Sequence, residues 1–397
     1  MYRKFYRTLL PALMLTLLFL TPQTAMRGTR DGLLLWANAV LPALLPFYVV
    51  TQLLQQCGGF ALLNPILRPV CRLLSLPDDF GGLLLAGWLS GAPNGARLLA
   101  QTTDDNALCT RTCAAFTVTS PLFLIGTAGQ MLGSPRLGAL VYGIHLLAAL
   151  CTGFLWRGHG SNSSAPPSVP SKPEPFLTAL PDALRSSCLS LLFIGCAIAF
   201  FSALTAVLQQ LGLTRALQSV LHNVLPADAV TALIAGFFEV SQGTLSAAQA
   251  RLSLPLRLSL LCGFASFGGV SVLCQAKVFL QQRVSASFYF LQRLTHAALS
   301  FCLCRGLCLL FGGAMQTFAA IRFAPQSSAQ TFPWLLPALC LIFAILPRKK
   351  AGDRSGGHWP PLQGCPKTSD PHDSHKNTGC TAFGRPLAAP TKQTKDR

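Results

Sequence analysis

The chain has 397 residues, 51% of them hydrophobic and only 11% charged, with 31 Lys/Arg against 13 Asp/Glu. Soluble domains carry about 25% charged residues, so this composition, with a mean hydropathy of +0.47, excludes an ordinary soluble fold and points to a polytopic membrane protein. The net charge of +18 does not point to nucleic acid: ten of the 31 basic residues follow Pro347, and most others flank apolar runs, where membrane topology places them.

Residues 1–32 combine a basic start with an apolar stretch. Gln23, two residues before Ala25, makes a poor cleavage site, so the sequence predicts an uncleaved first membrane segment and a following loop. Residues 33–156 form a first membrane half, with apolar runs at 33–54, 81–100, 115–131 and 137–156 and an amphipathic stretch at 65–76. A polar linker rich in Pro, Ser and Gly follows at 157–180. The second half, 181–312, has apolar runs near 186–211, 229–240, 255–274 and 286–312. A last membrane segment is expected within 313–347, and the basic residues 348–397 read as a disordered tail. Arg348, Lys349 and Lys350 favour a cytoplasmic C-terminus. The 15 cysteines contain no CxxC pair and read as small core residues, with no metal site implied.

The two halves match in order. "TQLLQQCG" (51–58) and "TAVLQQLG" (205–212) share TxxLQQxG, and "LAGWLSGAPNG" (85–95) corresponds to "IAGFFEVSQG" (234–243). Ser120 of "TSPLFLIG" matches Ser266 of "ASFGGVSVLCQ", and His145 and His296 each precede a Cys by six residues. Internal duplication with Gly/Pro-interrupted segments at corresponding places is a mark of secondary transporters, whose broken helices turn backbone groups toward a solute at mid-membrane. The expected fold is all-α, with two inverted repeats of about 150 residues, each carrying a broken or re-entrant helical segment.

Glu239 is one of two glutamates in the chain, the other being Glu174. A charge at mid-bilayer costs roughly 2.5–3.5 kcal/mol, so such a residue faces a cavity or a partner more often than lipid. Arg97 is its expected partner or a clamp for an anion, weighed evenly against a snorkelling role. Ser90, Asn94, Gly95, Ser241, Gln242 and Gly243 fall inside the two interruptions as expected substrate contacts; Thr119, Ser120 and Ser266 are weaker candidates of the same kind. His145 and His296 read as packing histidines, and Lys277 as a snorkelling lysine. No HExxH or GxxxxGK[ST] motif is present, and "GWLSG" lacks the spacing of a rhomboid protease, so no enzyme is expected. No resident cofactor is expected, and whether a proton or a cation is coupled stays open. The expected partners are a small-molecule solute and the lipid bilayer, with assembly into a homo-oligomer left open.

"RDGLLLWANAVLPALLPFYVVTQLL", "GWLSGAPNGARL", "TSPLFLIGTAGQML" and "SFGGVSVLCQ" together resemble the sporulation integral membrane protein YlbJ family. That family belongs to the nucleoside-recognition (Gate) domain proteins and is similar to concentrative nucleoside transporters. The resemblance spans about residues 8–310. It implies a multi-pass protein of the outer forespore membrane in a sporulating bacterium, transporting a small anionic or nucleoside-like solute, with dipicolinic acid the expected cargo. A non-transporting membrane scaffold for spore-envelope assembly is the alternative.

Overall fold

The structure, a computed structural model, describes residues 2–158 and 173–320, all within one compact unit, Met1–Pro325. The middle of the expected linker, the apolar run 333–347 and the tail from 348 lie outside the described residues. Every described element is helical. In lipid no water pairs the backbone, so N–H and C=O groups must bond within their own segment. Among the described residues, five helical stretches are long and apolar enough to cross a membrane. A sixth arises if Gly59–Leu73 and Asp78–Ser90, bent by 119° to each other, count as one. The chain is a multi-pass, all-helical membrane protein.

The first half opens with α1 (Tyr2–Leu20) and α2 (Pro22–Leu35). Residues 22–32, expected as a loop, are helical: Pro22 sits in the first turn of α2, where its missing N–H has no intrahelical partner to lose. α2 passes through a π-helical turn, Trp36–Val40, into α3 (Leu41–Gln56), making one 35-residue crossing. Pro42 cannot donate to the carbonyl four residues earlier, and the wider turn lies where that bond is missing. The amphipathic α4 (Asn64–Leu73) buries Cys71 and exposes Ile66. A hairpin follows, α5 (Gly81–Ser90) and α6 (Ala92–Thr102). α7 (Asn106–Phe116) starts at Asp105, whose carboxylate accepts from the Ala107 N–H. The run 115–131 is not one helix: α7 ends, 117–120 is non-helical, and π-helical Leu122–Ala128 leads to the single turn α8 (Gly129–Met131). α9 (Pro135–Trp156) closes the half; its 22 residues span about 33 Å.

The second half begins with α10 (Phe176–Gln210), followed by amphipathic α11 (Leu213–Leu221). A second hairpin comprises α12 (Ala227–Phe238) and α13 (Val240–Gln249). α14 (Leu254–Phe267) and α15 (Gly269–Leu280) are parted at Gly268, and α16 (Ala286–Ala320) is kinked at Phe311. The halves interleave: α10 packs along α2 and α3, α15 against α6, and α16 against α9 and α7. One apolar cluster draws Val40, Leu44 and Val141 from the first half and Ile194, Leu261 and Phe264 from the second.

Candidate functional site

Each hairpin is broken by a single residue. Gly91 takes φ 94°, ψ 172°, a conformation that a side chain disfavours, while Glu239 is extended at φ −148°, ψ 128°. A Cβ on Gly95 would collide with the Phe116 carbonyl, and one on Gly243 with Gly236, so glycines let the arms touch. Aligning the two motifs sets Ser90 near Glu239. By geometry the counterpart of Glu239 is Gly91, since each is the sole non-helical residue of its hairpin.

The two breaks meet. Residues 90–93 and 239–241 line one cavity of about 70 Å³, with Tyr48, Thr119, Ser120 and Gln275 completing its polar wall. Glu239 is 1% exposed, and its Oε2 accepts from the Gln242 N–H at 2.8 Å. A carboxyl oxygen capping a helix N-terminus meets the positive end of the helix dipole, which is how this buried polar group is satisfied. Ser90 Oγ donates to the Ala86 carbonyl (2.6 Å), and Thr119 Oγ1 to the Ala265 carbonyl (2.7 Å). Ser120 Oγ accepts from the Phe123 N–H at 3.3 Å. Gln275 Nε2 donates to Ser271 Oγ at 3.1 Å, leaving Oε1 buried without a protein partner, as is the Tyr48 hydroxyl. Buried polar groups in proteins are almost always paired, so these two atoms are the ones a polar guest would meet. The volume suits about two waters at roughly 30 Å³ each and falls well below the roughly 300–1,000 Å³ of a small-molecule site.

The other expected site residues stand one layer out. Asn94 Oδ1 accepts from Gln52 Nε2 (2.9 Å), and Gln242 Nε2 donates to Ser202 Oγ (3.0 Å). Gly95 and Gly243 lie at the helix crossings. Arg97 does not pair with Glu239: its guanidinium donates to Ser186 Oγ on α10 at 2.7 Å. The ion pairs among the described residues join Arg68 and Arg72 to Asp78 and Arg283 to Asp104. Glu239 is in none of them, its compensation coming from α13. Lys277 donates to the Gln281 and Val284 carbonyls at the end of α15.

Sequence reasoning missed Arg293 in a buried polar network behind the cavity, a network that also holds His145 and His296, expected as packing histidines. Arg293, fully buried on α16, donates to the carbonyls of Thr117, Ala265 and Phe267, where α7 and α14 end. Thr119, on the cavity wall, donates its N–H to His145 Nε2 (2.9 Å). That nitrogen must then carry the lone pair, so the His145 proton sits on Nδ1, 2.7 Å from Ser266 Oγ. His296 stacks on His145 with ring centroids 4.7 Å apart, and its Nε2 donates to the His145 carbonyl. Two signals were available: an arginine inside the apolar run 286–312, and the helix-breaking "FGG" at 267–269.

No protein-family model matches the chain, and no solved structure does. The chain is similar to the sporulation integral membrane protein YlbJ of Bacillus subtilis (strain 168), with 29% identity over 305 residues, covering 69% of this chain and 75% of that protein.

Proposed function

As this chain belongs to the family of the sporulation integral membrane protein YlbJ, we propose that it is a transporter of a small anionic or nucleoside-like solute in sporulation, carrying dipicolinic acid across the outer forespore membrane. The observation that carries this reading is the meeting of two helix breaks, one per half, at a single cavity whose largely apolar wall carries a few polar groups, Glu239 among them. A pair of interrupted helices at corresponding places is how duplicated transporters build a solute site.

The order of elements supports a duplication. A long crossing (22–56 or 176–210), a short amphipathic helix, a hairpin broken at one residue, a helix interrupted near its middle and a long closing helix occur in each half. We read them as inverted repeats whose hairpins bind solute between them. α6 and α13 both begin at the cavity, and α6 has no side-chain cap. Free N–H groups at a helix start favour an anion, which suits a carboxylate-bearing cargo. Ser90, Ser120 and Ser241 would then contact solute directly, and Glu239 would do so as the neutral acid, donating its O–H to a solute carboxylate, while Asn94, Gln242 and Arg97 hold the hairpins.

The test is uptake of labelled dipicolinate into proteoliposomes holding the purified chain. Expected is saturable uptake that Glu239→Ala abolishes; no uptake by the folded parent chain would instead favour a scaffold for the spore envelope.

A further inference from the structure

Beside this small cavity lies a second space, larger and more polar. It measures about 310 Å³ and sits between α2, α10, α12 and α13. Eight of its twelve lining residues are polar, in a chain where 51% of residues are hydrophobic. Asp31, Thr205, Gln209, Thr231, Ser246 and Gln249 form most of that wall. Its size falls in the range of about 300–1,000 Å³ typical of small-molecule sites, and a wall of amides, hydroxyls and one carboxylate suits water and a hydrogen-bonding solute.

The two spaces are neighbours along the same helices. On α10, Ile194 and Ile198 face the small cavity, while Ser202, Thr205 and Gln209 face the polar space. These positions make one stripe at helical spacing, and Ile198 and Ser202 are one turn apart, about 6 Å. On α13, Glu239 and Ser241 line the cavity and Gln242 lines the polar space. What stands between is the Gln242–Ser202 hydrogen bond, 3.0 Å long. The first half has a related bond, Gln52 to Asn94, joining its hairpin to α3. There both side chains are buried, at 3% and 4% exposure.

We infer that the polar space is an aqueous vestibule leading to the central site from one face of the membrane, and that the Gln242–Ser202 hydrogen bond is its inner gate. The Gln52–Asn94 bond is the corresponding seal on the opposite face. The vestibule takes a small polar solute with both donors and acceptors before the gate opens. This rests on the central cavity being the solute site.

The test uses the full chain in sealed membrane vesicles and a charged, membrane-impermeant methanethiosulfonate reagent applied from each face. The unsubstituted chain, with its native cysteines, supplies the baseline. Thr205→Cys and Ser246→Cys should react above baseline from one face only, and Ser241→Cys should react slowly. Adding Gln242→Ala, or independently Ser202→Ala, should speed labelling of Ser241→Cys from that same face by about three- to tenfold, the factor one net hydrogen bond supports. Two different variants removing one bond guard against a folding defect in either. An unreactive vestibule on both faces, or a Ser241→Cys rate that neither variant raises, would overturn the proposal. Labelling needs no transport, so a responsive gate in a chain that moves no dipicolinate would sink the cargo and leave the gate standing. Uptake with an unlabelled vestibule would do the reverse.

Discussion

At Arg293 a full positive charge is held inside the bundle by backbone carbonyls at the ends of α7 and α14. Helix C-termini carry partial negative charge and unpaired carbonyls, so one planar guanidinium answers two helix ends together. Arg293→Met would take the guanidinium from the Thr117 and Phe267 carbonyls, each loss costing about 1–3 kcal/mol, while Ala265 keeps its bond from Thr119. The expected outcome is a melting temperature in detergent lowered by many degrees, with Arg293→Lys in between; a Met variant melting with the parent would show that the ends hold without it. Glu239 separates a cap from a charge. Glu239→Gln keeps an acceptor for the Gln242 N–H and should melt like the parent, whereas Glu239→Ala should lose about 1 kcal/mol. Both should lose dipicolinate uptake, and a Gln variant that transports normally would reduce Glu239 to its capping role. Glu239 was legible in the sequence because an acid in an apolar run is conspicuous. Arg97 misled, because proximity in a motif does not fix the face of the helix a side chain occupies, and Arg97 points to Ser186 on α10.

Among elements, the hairpins were legible from their glycines, while at Gly268 the "FGG" signal competes with an apolar pattern that runs on across the break. In "GWLSGAPNG" the glycines and proline come densely enough to stop a helix. At Gly268, Arg293 and Thr119 compensate the freed carbonyls. The hairpin arms give a paired prediction. Gly243→Ala places a methyl against Gly236 and should prevent closure of α13 on α12, seen as loss of monodisperse folded protein. Gly143→Ala in α9 meets nothing within 4 Å and should stabilise by about 0.5–1 kcal/mol from helix propensity, seen as a raised melting temperature. If both behave alike, close packing of the arms is not what fixes the hairpin.

For the whole molecule, composition alone dictated a multi-pass helical bundle, because lipid permits few other solutions. The interleaving of the halves was not legible, since which helix lies beside which depends on packing faces spread over many residues. Here α10 of the second half lies on α2 and α3 of the first, and the main apolar cluster belongs to both. Two chains cut between the halves should therefore stay together. A protease site inserted within 159–172 and cleaved after purification is expected to leave both fragments in one peak on size-exclusion chromatography; separation would mean that the connection, rather than the shared core, joins them.

The division between cavity wall and supporting frame bears on how readily such a protein changes its cargo. Arg293 answers carbonyls, His145 answers the Thr119 amide, and the Gly pairs set the hairpin crossings. Most of these attachments are made to main chain, and none needs a particular side chain at positions 90, 120, 241 or 275. Those four positions can therefore vary with little penalty to folding, so a lineage on this scaffold is free to explore new solutes by altering the lining while its architecture stays intact.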